Sequence, residues 1–314
     1  MAVTYQIENY KTYGKVVAIT NGTVDIKVTA DVGPRVIYLA LADGQNVMFN
    51  DDSREVTKGK GDPIFESAFG KDKYWQIYGG HRIWASPEEY PYSYVPGDEP
   101  VKWTAEGNKF TFEPNMFPTL GLKFTLELVI DNKKPLVTVN NIIENHSGGI
   151  RRIAVWALSV LASNGLEIVP LPKEKPELLS SGTLELWPYT NMADGRVHWG
   201  KEYITLRSVE GTPDGAFKFG ITNTAGRAAY INNGTAFIKK FTHNKHGNYP
   251  DHGMSFETYT NDKFIEMETL GELSEMLPGE TSVHTEQWVL KKVAKAPNPK
   301  NEAAVAKLAE RLFK

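Results

Sequence analysis

The sequence predicts an all-β protein of antiparallel sheet with a short helix near its C-terminal end. Along most of the 314 residues, apolar and polar side chains alternate with a period of two, the pattern of half-buried strands. Turn-forming pairs such as Asp43–Gly44 and Pro278–Gly279 separate the alternating segments. No stretch offers the helices that alternate with strands in a parallel sheet. A large antiparallel sandwich is therefore the expected fold.

The strands are predicted one by one from this alternation. Every second residue of 24–28 is apolar, and the segment follows an Asn-Gly turn at 21–22, which is a strong hairpin signal. Between residues 120 and 130, apolar side chains occupy one face and polar side chains the other. Further strands are predicted at 35–41, 136–143, 203–209, 217–221, 235–241, 264–270 and 283–290.

The predicted helix covers about residues 300–313. Val305, Leu308, Ala309 and Leu312 recur at helical spacing after two prolines, so we expect this amphipathic helix to pack on a sheet. No internal repeat or linker divides the chain, and residues 1–314 are predicted to form a single domain. Long loops are expected at 51–75, 84–100 and 171–200. Long loops on a β scaffold usually carry function.

Composition excludes several classes of partner. With 35 basic and 38 acidic residues the chain has no surplus of positive charge for phosphates, so no nucleic-acid partner is expected. The longest apolar run, 153–162, is about half the length of a membrane span, so no membrane partner is expected either. Without an apolar leader at its start, the protein is predicted to be cytoplasmic, or periplasmic or secreted if a leader has been removed.

Cofactor motifs are absent from the sequence. The absence of cysteine excludes disulfides and thiolate chemistry, and no glycine-rich phosphate loop occurs, so no cofactor is expected. His243, His246 and His252 lie in a loop with Asp251 but lack the regular spacing of a metal site, so we expect no bound metal. This loop either faces a substrate or is solvated. The expected assembly is a monomer or a homodimer.

Two segments concentrate residues suited to a site. In the first, Gly79 and Gly80 precede His81, Arg82 and Trp84. Paired glycines allow a close backbone approach, and an arginine can donate two hydrogen bonds to hydroxyls or a carboxylate. The alternative is that Arg82 pairs with a buried acid and that Trp84 belongs to the core.

The second segment carries Glu266 and Glu268 in an apolar strand. The two acids share one face of the strand, and burying them is costly unless they are paired or used. Repulsion and desolvation would raise one pKa, which suits general acid–base catalysis, whereas an ion pair to His284 or to a lysine is the alternative. Trp156, inside an apolar strand, is predicted by composition to be a core residue.

Three parts of the sequence, in order, resemble the galactose mutarotase-like (aldose 1-epimerase) superfamily. The resemblance is carried by residues 30–39 (ADVGPRVIYL) with 43–48 (DGQNVM), 145–147 (NHS) with 153–158 (IAVWAL), and 266–269 (EMET) with 277–280 (LPGE) and 285–290 (TEQWVL). It spans about residues 15–290, and with 79–84 it looks most like a bacterial branch distinct from the epimerases themselves. It implies a large antiparallel β-supersandwich and a small-molecule carbohydrate as ligand.

The resemblance also implies roles for individual residues. Glu268 falls on the family's catalytic base, Arg82 lies in the region of its substrate-binding arginine, and Trp156 stands where the family has a catalytic histidine. His81 is then the candidate acid, with His246 or His252 as substitutes, and Arg82 with Asp251 would bind ring hydroxyls above Trp84 and Trp156.

An aldose 1-epimerase-like isomerase is the leading functional prediction. A sugar-binding protein without catalysis and a glycosidase or lyase using Glu266 and Glu268 are the alternatives.

Overall fold

The computed structural model of the protein describes residues 2–174 and 177–314, and most of these residues lie in strands and their connections. The strands are β1 (Thr4–Asn9), β2 (Lys15–Thr20), β3 (Val24–Thr29), β4 (Val36–Leu41), β5 (Thr57–Lys58), β6 (Trp75–Gln76), β7 (Gly80–Ser86), β8 (Lys102–Glu106), β9 (Lys109–Glu113), β10 (Leu122–Ile130), β11 (Leu136–Asn145), β12 (Arg151–Ala162), β13 (Leu166–Pro170), β14 (Leu184–Leu186), β15 (Val197–Trp199), β16 (Tyr203–Arg207), β17 (Phe217–Ile221), β18 (Arg227–Asn232), β19 (Thr235–Phe241), β20 (Phe256–Thr260), β21 (Phe264–Leu270), β22 (Ser274–Met276) and β23 (Thr281–Lys292). The helices are α1 (Pro63–Phe69), α2 (Pro250–Gly253) and α3 (Glu302–Phe313).

Two large antiparallel sheets contain nearly all of these strands. The first, called the large sheet, has 11 strands in the order β1-β2-β3-β4-β7-β12-β21-β20-β17-β14, with β22 paired to β12 outside this path. The second sheet has 10 strands in the order β15-β16-β13-β18-β19-β23-β11-β10-β9-β8. The predicted all-β antiparallel architecture with a short C-terminal helix is confirmed. That residues 1–314 form a single domain stays a prediction.

The main apolar core lies between the inner faces of the two sheets. Leu39 and Phe219 from the large sheet and Leu128 and Trp288 from the second sheet are fully buried there. Alternation along each strand is the cause, because every second side chain points to the same face. Each such side chain contributes roughly 1.5–3 kcal/mol through burial.

Helices and loop segments cover the outer faces. On the second sheet, α3 buries Leu308 and Leu312 against Ile168 and Ile238, while Asn301 caps the helix by accepting the Ala304 N–H at 3.1 Å. None of the helices in the described part of the chain has the length and apolar character needed to span a bilayer.

The segments predicted as long loops contain more structure than expected. Residues 51–75 include α1 and the two-stranded sheet β5–β6, residues 84–86 belong to β7, and residues 171–200 include β14 and β15. Residues 175 and 176 of the last segment lie outside the described residues. The aromatic residues of α1 explain part of this difference, since Phe65 and Phe69 pack with Trp84 and Trp156 on the outer face of the large sheet.

The large sheet is interrupted between β4 and β7. These two strands pair only at Val36 and His81 within the described residues, and they diverge beyond that pair. The other edge of β7 pairs with β12 along its whole length, from Gly80 to Ser86. A gap therefore opens beside Arg82 to Ser86 at the surface of the sandwich.

Candidate functional site

Gly79 and Gly80 fix the path of the chain into β7. Both have left-handed φ values, +102° and +66°. A Cβ on Gly80 would lie 2.2 Å from the Val36 carbonyl oxygen, and one on Gly79 would lie 2.1 Å from that of Phe49. The close approach expected of these glycines is thus to neighbouring backbone, which holds β7 in a defined register.

His81 lies in the interior between the two sheets. Its side chain is fully buried, with Nε2 2.8 Å from the Asn141 amide oxygen, Nδ1 2.9 Å from the Ser159 hydroxyl, and the ring centroid 4.7 Å from that of Trp288. Burial lowers the pKa of His81 to about 3, so the imidazole is neutral. The prediction that His81 supplies the acid beside Arg82 is wrong, because consecutive strand residues point to opposite faces.

Arg82 and the two glutamates of β21 share the outer face of the large sheet. In the register, Leu158 of β12 lies opposite Arg82 on one side and opposite Glu268 on the other. The Arg82 Nη1 lies 3.0 Å from the Glu266 Oε1, and both residues are more than nine-tenths buried. Glu266 is therefore held in an ion pair, which was the alternative to a catalytic role, and its partner is Arg82 of the first segment.

Glu268 has a different cation partner, which the sequence analysis missed. The Lys218 ammonium of β17 lies 3.2 Å from the Glu268 Oε2 and 2.7 Å from the Oε2 of Glu257 in β20. The same Glu268 oxygen accepts a hydrogen bond from the Trp156 indole N–H at 2.9 Å. Lys218, Glu257 and Glu268 are each more than nine-tenths buried.

We call these five charged residues, Arg82, Lys218, Glu257, Glu266 and Glu268, the outer cluster. It contains three carboxyl groups and two cations. Because two buried cations balance only two carboxylates, the third carboxyl group is favoured in its protonated form.

The pKa shifts within the outer cluster have two causes: the groups are buried, and Glu257 and Glu268 share the single ammonium of Lys218. Burial raises the pKa of Glu257 well above its ordinary value, against the opposing effect of Lys218. Burial also raises the pKa of Glu268, with the Glu266 carboxylate adding to the effect and Lys218 opposing it. Burial alone would lower the pKa of Lys218, but the Glu268 and Glu257 carboxylates raise it. The cluster therefore holds a proton that is shared between close acids and bases.

Aromatic rings surround the outer cluster. The Arg82 guanidinium lies 4.4 Å from the centroid of Trp84, whose ring packs edge-on against Trp156 at 5.4 Å. The Lys218 ammonium lies 4.3 Å from the Trp187 ring and 4.9 Å from the Trp156 ring. Such rings exclude water from the charges and attract the two cations through their faces.

The histidine loop lies at the edge of this face. Asp251 is close enough to Glu257 to contribute to its raised pKa. The exposed His252 places its Nδ1 3.3 Å from the Glu185 carboxylate. His246 is exposed and, among the described residues, its ring makes no hydrogen bond or ion pair. The absence of a bound metal in this loop stays a prediction.

A cavity of about 330 Å³ opens next to Arg82 and Trp84 at the gap between β4 and β7. His81, Trp156 and Glu268 do not line it. The predicted site residues therefore lie in different places. His81 lies in the interior, and the histidine loop holds His246, Asp251 and His252. The outer cluster and its rings include Arg82, Trp84, Trp156, Glu266 and Glu268, and of these Arg82 and Trp84 also line the cavity.

Comparison with solved structures identifies the fold. A protein from Klebsiella pneumoniae provisionally named an aldose 1-epimerase superposes with a TM-score of 0.59 at 10% identity, covering 99% of this chain and 87% of that one. A galactose mutarotase-like protein from Lactobacillus casei superposes with a TM-score of 0.55 at 9% identity, covering 88% of this chain and 100% of that one. The chain has the galactose mutarotase-like fold.

The galactose mutarotase-like fold also occurs within a longer chain. A TPR-domain containing protein from Parabacteroides distasonis superposes with a TM-score of 0.57 at 14% identity over 91% of this chain, and the chain spans about half (48%) of that protein's length. No protein-family profile and no curated protein matches the sequence. At these identities the likeness is one of fold, so the chemistry has to be argued from the residues themselves.

Proposed function

We propose that the protein binds a sugar at the outer face of the large sheet and interconverts its anomers, as an aldose 1-epimerase-like isomerase. The observation that carries this proposal is the position of Glu268. It lies in a buried, aromatic-walled cluster with one more carboxyl group than cation, and its pKa is raised. A carboxylate of raised pKa beside an ammonium is suited to general acid–base catalysis.

The proposed reaction uses Glu268 as the base and Lys218 as the acid. Glu268 takes the proton of the anomeric O1–H while the C1–O5 bond breaks, and the Lys218 ammonium donates a proton to O5. The open-chain aldehyde turns about its C1–C2 bond. Closure reverses both transfers: O5 attacks C1, the Lys218 amine recovers the O5 proton, and Glu268 returns its proton to O1.

The remaining groups of the cluster would recognise and orient the ring. Arg82 is held by Glu266 at 3.0 Å and can donate its remaining N–H groups to vicinal hydroxyls. Trp156 and Trp187 flank Lys218 and would contact the apolar face of a sugar. Trp187 lies over Lys218, so entry of the sugar requires the segment that carries Trp187 to move outward.

The test is anomer exchange of common aldoses, followed by magnetisation-transfer NMR against the spontaneous rate in the same buffer. We expect the protein to accelerate exchange, and both Glu268→Gln and Lys218→Met to lower the enzymatic rate by roughly 10²–10⁴-fold. Glu127→Gln is the matched control, because Glu127 also pairs with a lysine, Lys109 at 3.4 Å, but on the second sheet. An unchanged rate in Glu268→Gln would refute the catalytic proposal.

Sugar binding without catalysis is the second candidate, and one contact favours it. The Trp156 indole N–H donates to Glu268 at 2.9 Å, which stabilises the carboxylate and occupies one of its oxygens. Saturation-transfer signals from a bound sugar, together with exchange at the buffer rate, would select this candidate. The glycosidase alternative has less support, because Arg82 engages Glu266 and leaves the two acids with different partners.

A further inference from the structure

The cavity between β4 and β7 has mostly apolar walls. Its volume is about 330 Å³, near the lower limit for small-molecule sites, which suits a ligand with a single ring. The apolar part of its lining comprises Ile83, Val95, Phe117, Leu122, Phe124 and Ile153. Leu122 and Ile153 belong to one buried apolar cluster, against which the other four residues pack. The cavity opens beside this cluster, where β4 and β7 no longer pair.

A buried arginine that has no charged partner among the described residues lies in this lining. Arg35 is only 7% exposed. Its Nη1 donates to the carbonyl oxygen of the preceding Pro34 at 2.9 Å, and its buried Nε makes no hydrogen bond. The nearest aromatic ring is that of Tyr78, 5.7 Å from the guanidinium carbon. Burial, reinforced by the positive charge of Arg82, lowers the pKa of Arg35 to about 9.

The carboxylates near the cavity do not neutralise Arg35. Asp98 lies 2.7 Å from the Lys73 ammonium, Glu99 accepts the Asn115 amide at 2.8 Å, and Glu89 is exposed. The neighbouring charge, Arg82, is itself a cation and is paired with an acid of the outer cluster. A buried guanidinium without an anion is costly, and a ligand anion would remove that cost.

We propose that this cavity binds a small organic carboxylate with an apolar body, and that Arg35 binds its carboxylate group. The planar guanidinium offers its Nε and Nη groups as a two-pronged donor, the geometry that a carboxylate matches. The apolar walls would enclose a ring or short chain and disfavour a bare inorganic anion. The cavity shares Arg82 and Trp84 with the outer cluster and its rings, but the role of Arg35 is independent of the chemistry proposed at Glu268.

The first experiment uses the wild-type protein and paired probes. Benzoate and cyclohexanecarboxylate are compared with their uncharged counterparts, benzamide and cyclohexylmethanol, and with acetate and inorganic phosphate, by titration calorimetry. We expect each ring carboxylate to bind at least about 10-fold more tightly than its neutral partner, as an ionic hydrogen-bonded pair provides. Equal binding of benzoate and benzamide would overturn the role of Arg35, and equal binding of benzoate and acetate or phosphate would overturn the role of the apolar walls.

The second experiment uses variants. Arg35→Met is expected to weaken benzoate binding by roughly 10–100-fold, and Ala85→Trp, which fills the cavity while keeping Arg35, is expected to abolish it. Arg227→Met is the matched control, because Arg227 also lies over an aromatic ring, that of Phe313 at 5.0 Å, but packs by the C-terminal helix. Unchanged binding in Ala85→Trp would overturn the location. Glu268→Gln is expected to leave benzoate binding intact, which separates this inference from the isomerase proposal.

Discussion

Charged side chains are buried on both sides of the large sheet, but their charges are balanced differently. Between the two sheets, the Lys239 ammonium of β19 lies 2.8 Å from the Oε1 of Glu286 in β23, and the other Glu286 oxygen accepts the Trp288 indole N–H at 3.0 Å. Lys239 also donates to the main-chain carbonyls of Ala157 and Met267, 3.3 and 3.0 Å away. We call this group, with His81, Thr269 and His284 around Glu286, the inner network.

In the inner network Lys239 forms one ion pair, with Glu286, and the histidines are neutral. The fully buried Glu167 also lies near Lys239, and burial raises its pKa well above the ordinary value. Burial alone would raise the pKa of Glu286, but Lys239, with smaller effects of His81 and His284, lowers it to about 2. Burial lowers the pKa of His284 to about 4. In the outer cluster, by contrast, Glu257 and Glu268 compete for Lys218. A balanced buried pair serves to hold strands together, whereas a surplus carboxyl group leaves a proton that can be transferred.

The largest effect is expected when the inner pair is broken. Lys239→Met leaves the fully buried Glu286 carboxylate without its cation and removes two hydrogen bonds to the backbone of β12 and β21. We expect a loss of about 3–5 kcal/mol in the free energy of unfolding, measured by urea denaturation. The matched change Lys218→Met should cost less, because the outer carboxyl groups can take up protons. Equal losses for the two variants would contradict the comparison.

The pH dependence of stability should have opposite signs for the Glu286 and His81 groups of the inner network and for the outer cluster. The pKa of Glu286 is about 2 and that of His81 about 3 in the folded state, both below their ordinary values. Both groups therefore stabilise the fold less as the pH falls, His81 from about 6.5 and Glu286 from about 4.5 downward.

In the outer cluster the pH dependence of stability has the opposite sign. The raised pKa values of Glu257 and Glu268 mean that the folded state keeps a proton that the unfolded chain releases above about pH 4.5, so stability declines as the pH rises. Urea denaturation from pH 3 to 9 should show Glu257→Gln reducing the loss on the alkaline side and leaving the acid side unchanged. An unaltered alkaline slope in this variant would contradict the protonation assigned to the cluster.

A moderate effect is expected for Glu266, whose partner is an arginine. Glu266→Gln leaves Arg82 without its 3.0 Å ion pair but keeps the size of the side chain. If Arg82 orients the sugar, KM for anomer exchange should rise by roughly 10-fold while kcat changes little, since ground-state and transition-state binding are lost together. A fall in kcat as large as that in Glu268→Gln would instead make Glu266 a participant in proton transfer.

The smallest effects are expected in the histidine loop. His246 and His252 are exposed, and the ion-pair partner of His252 within residues 2–174 and 177–314 is Glu185 at 3.3 Å. His246→Ala and His252→Ala should each change the free energy of unfolding by less than about 0.5 kcal/mol and leave the exchange rate unaltered. A rate loss of 10-fold or more in either variant would favour that histidine over Lys218 as the acid.

Much of the fold can be predicted from the sequence, because the alternation of apolar and polar residues in a strand is a local signal. The same period of two correctly predicts that Glu266 and Glu268 lie on one face of β21. It could not decide which face of β7 is internal, because that depends on the second sheet. The sequence therefore predicts His81 on the side that Arg82 occupies, and it does not show that the close approach allowed by Gly80 is to the Val36 backbone.

The sequence contains a signal that points to Lys218 and to an acidic partner such as Glu257. Lys218 stands between Phe217 and Phe219, and a lone charge in such a strand needs a buried counter-charge. Its partners are distant in sequence, 50 residues away in the case of Glu268. Only the order of the strands, β21-β20-β17, brings these charges together.

The place of β23 in the second sheet governs how the protein can be made. This strand follows both β11 and β19 in the chain, yet it lies between them and joins residues as far apart as Asn141 and His284, 143 positions along the chain. While the ribosome is still translating, β11 and β19 have open edges, and the sheet cannot close until residue 292 has emerged. Such distant pairing slows folding and exposes nascent edges to aggregation. Insertion of β23, after it has emerged from the ribosome, is thus the step that closes the second sheet.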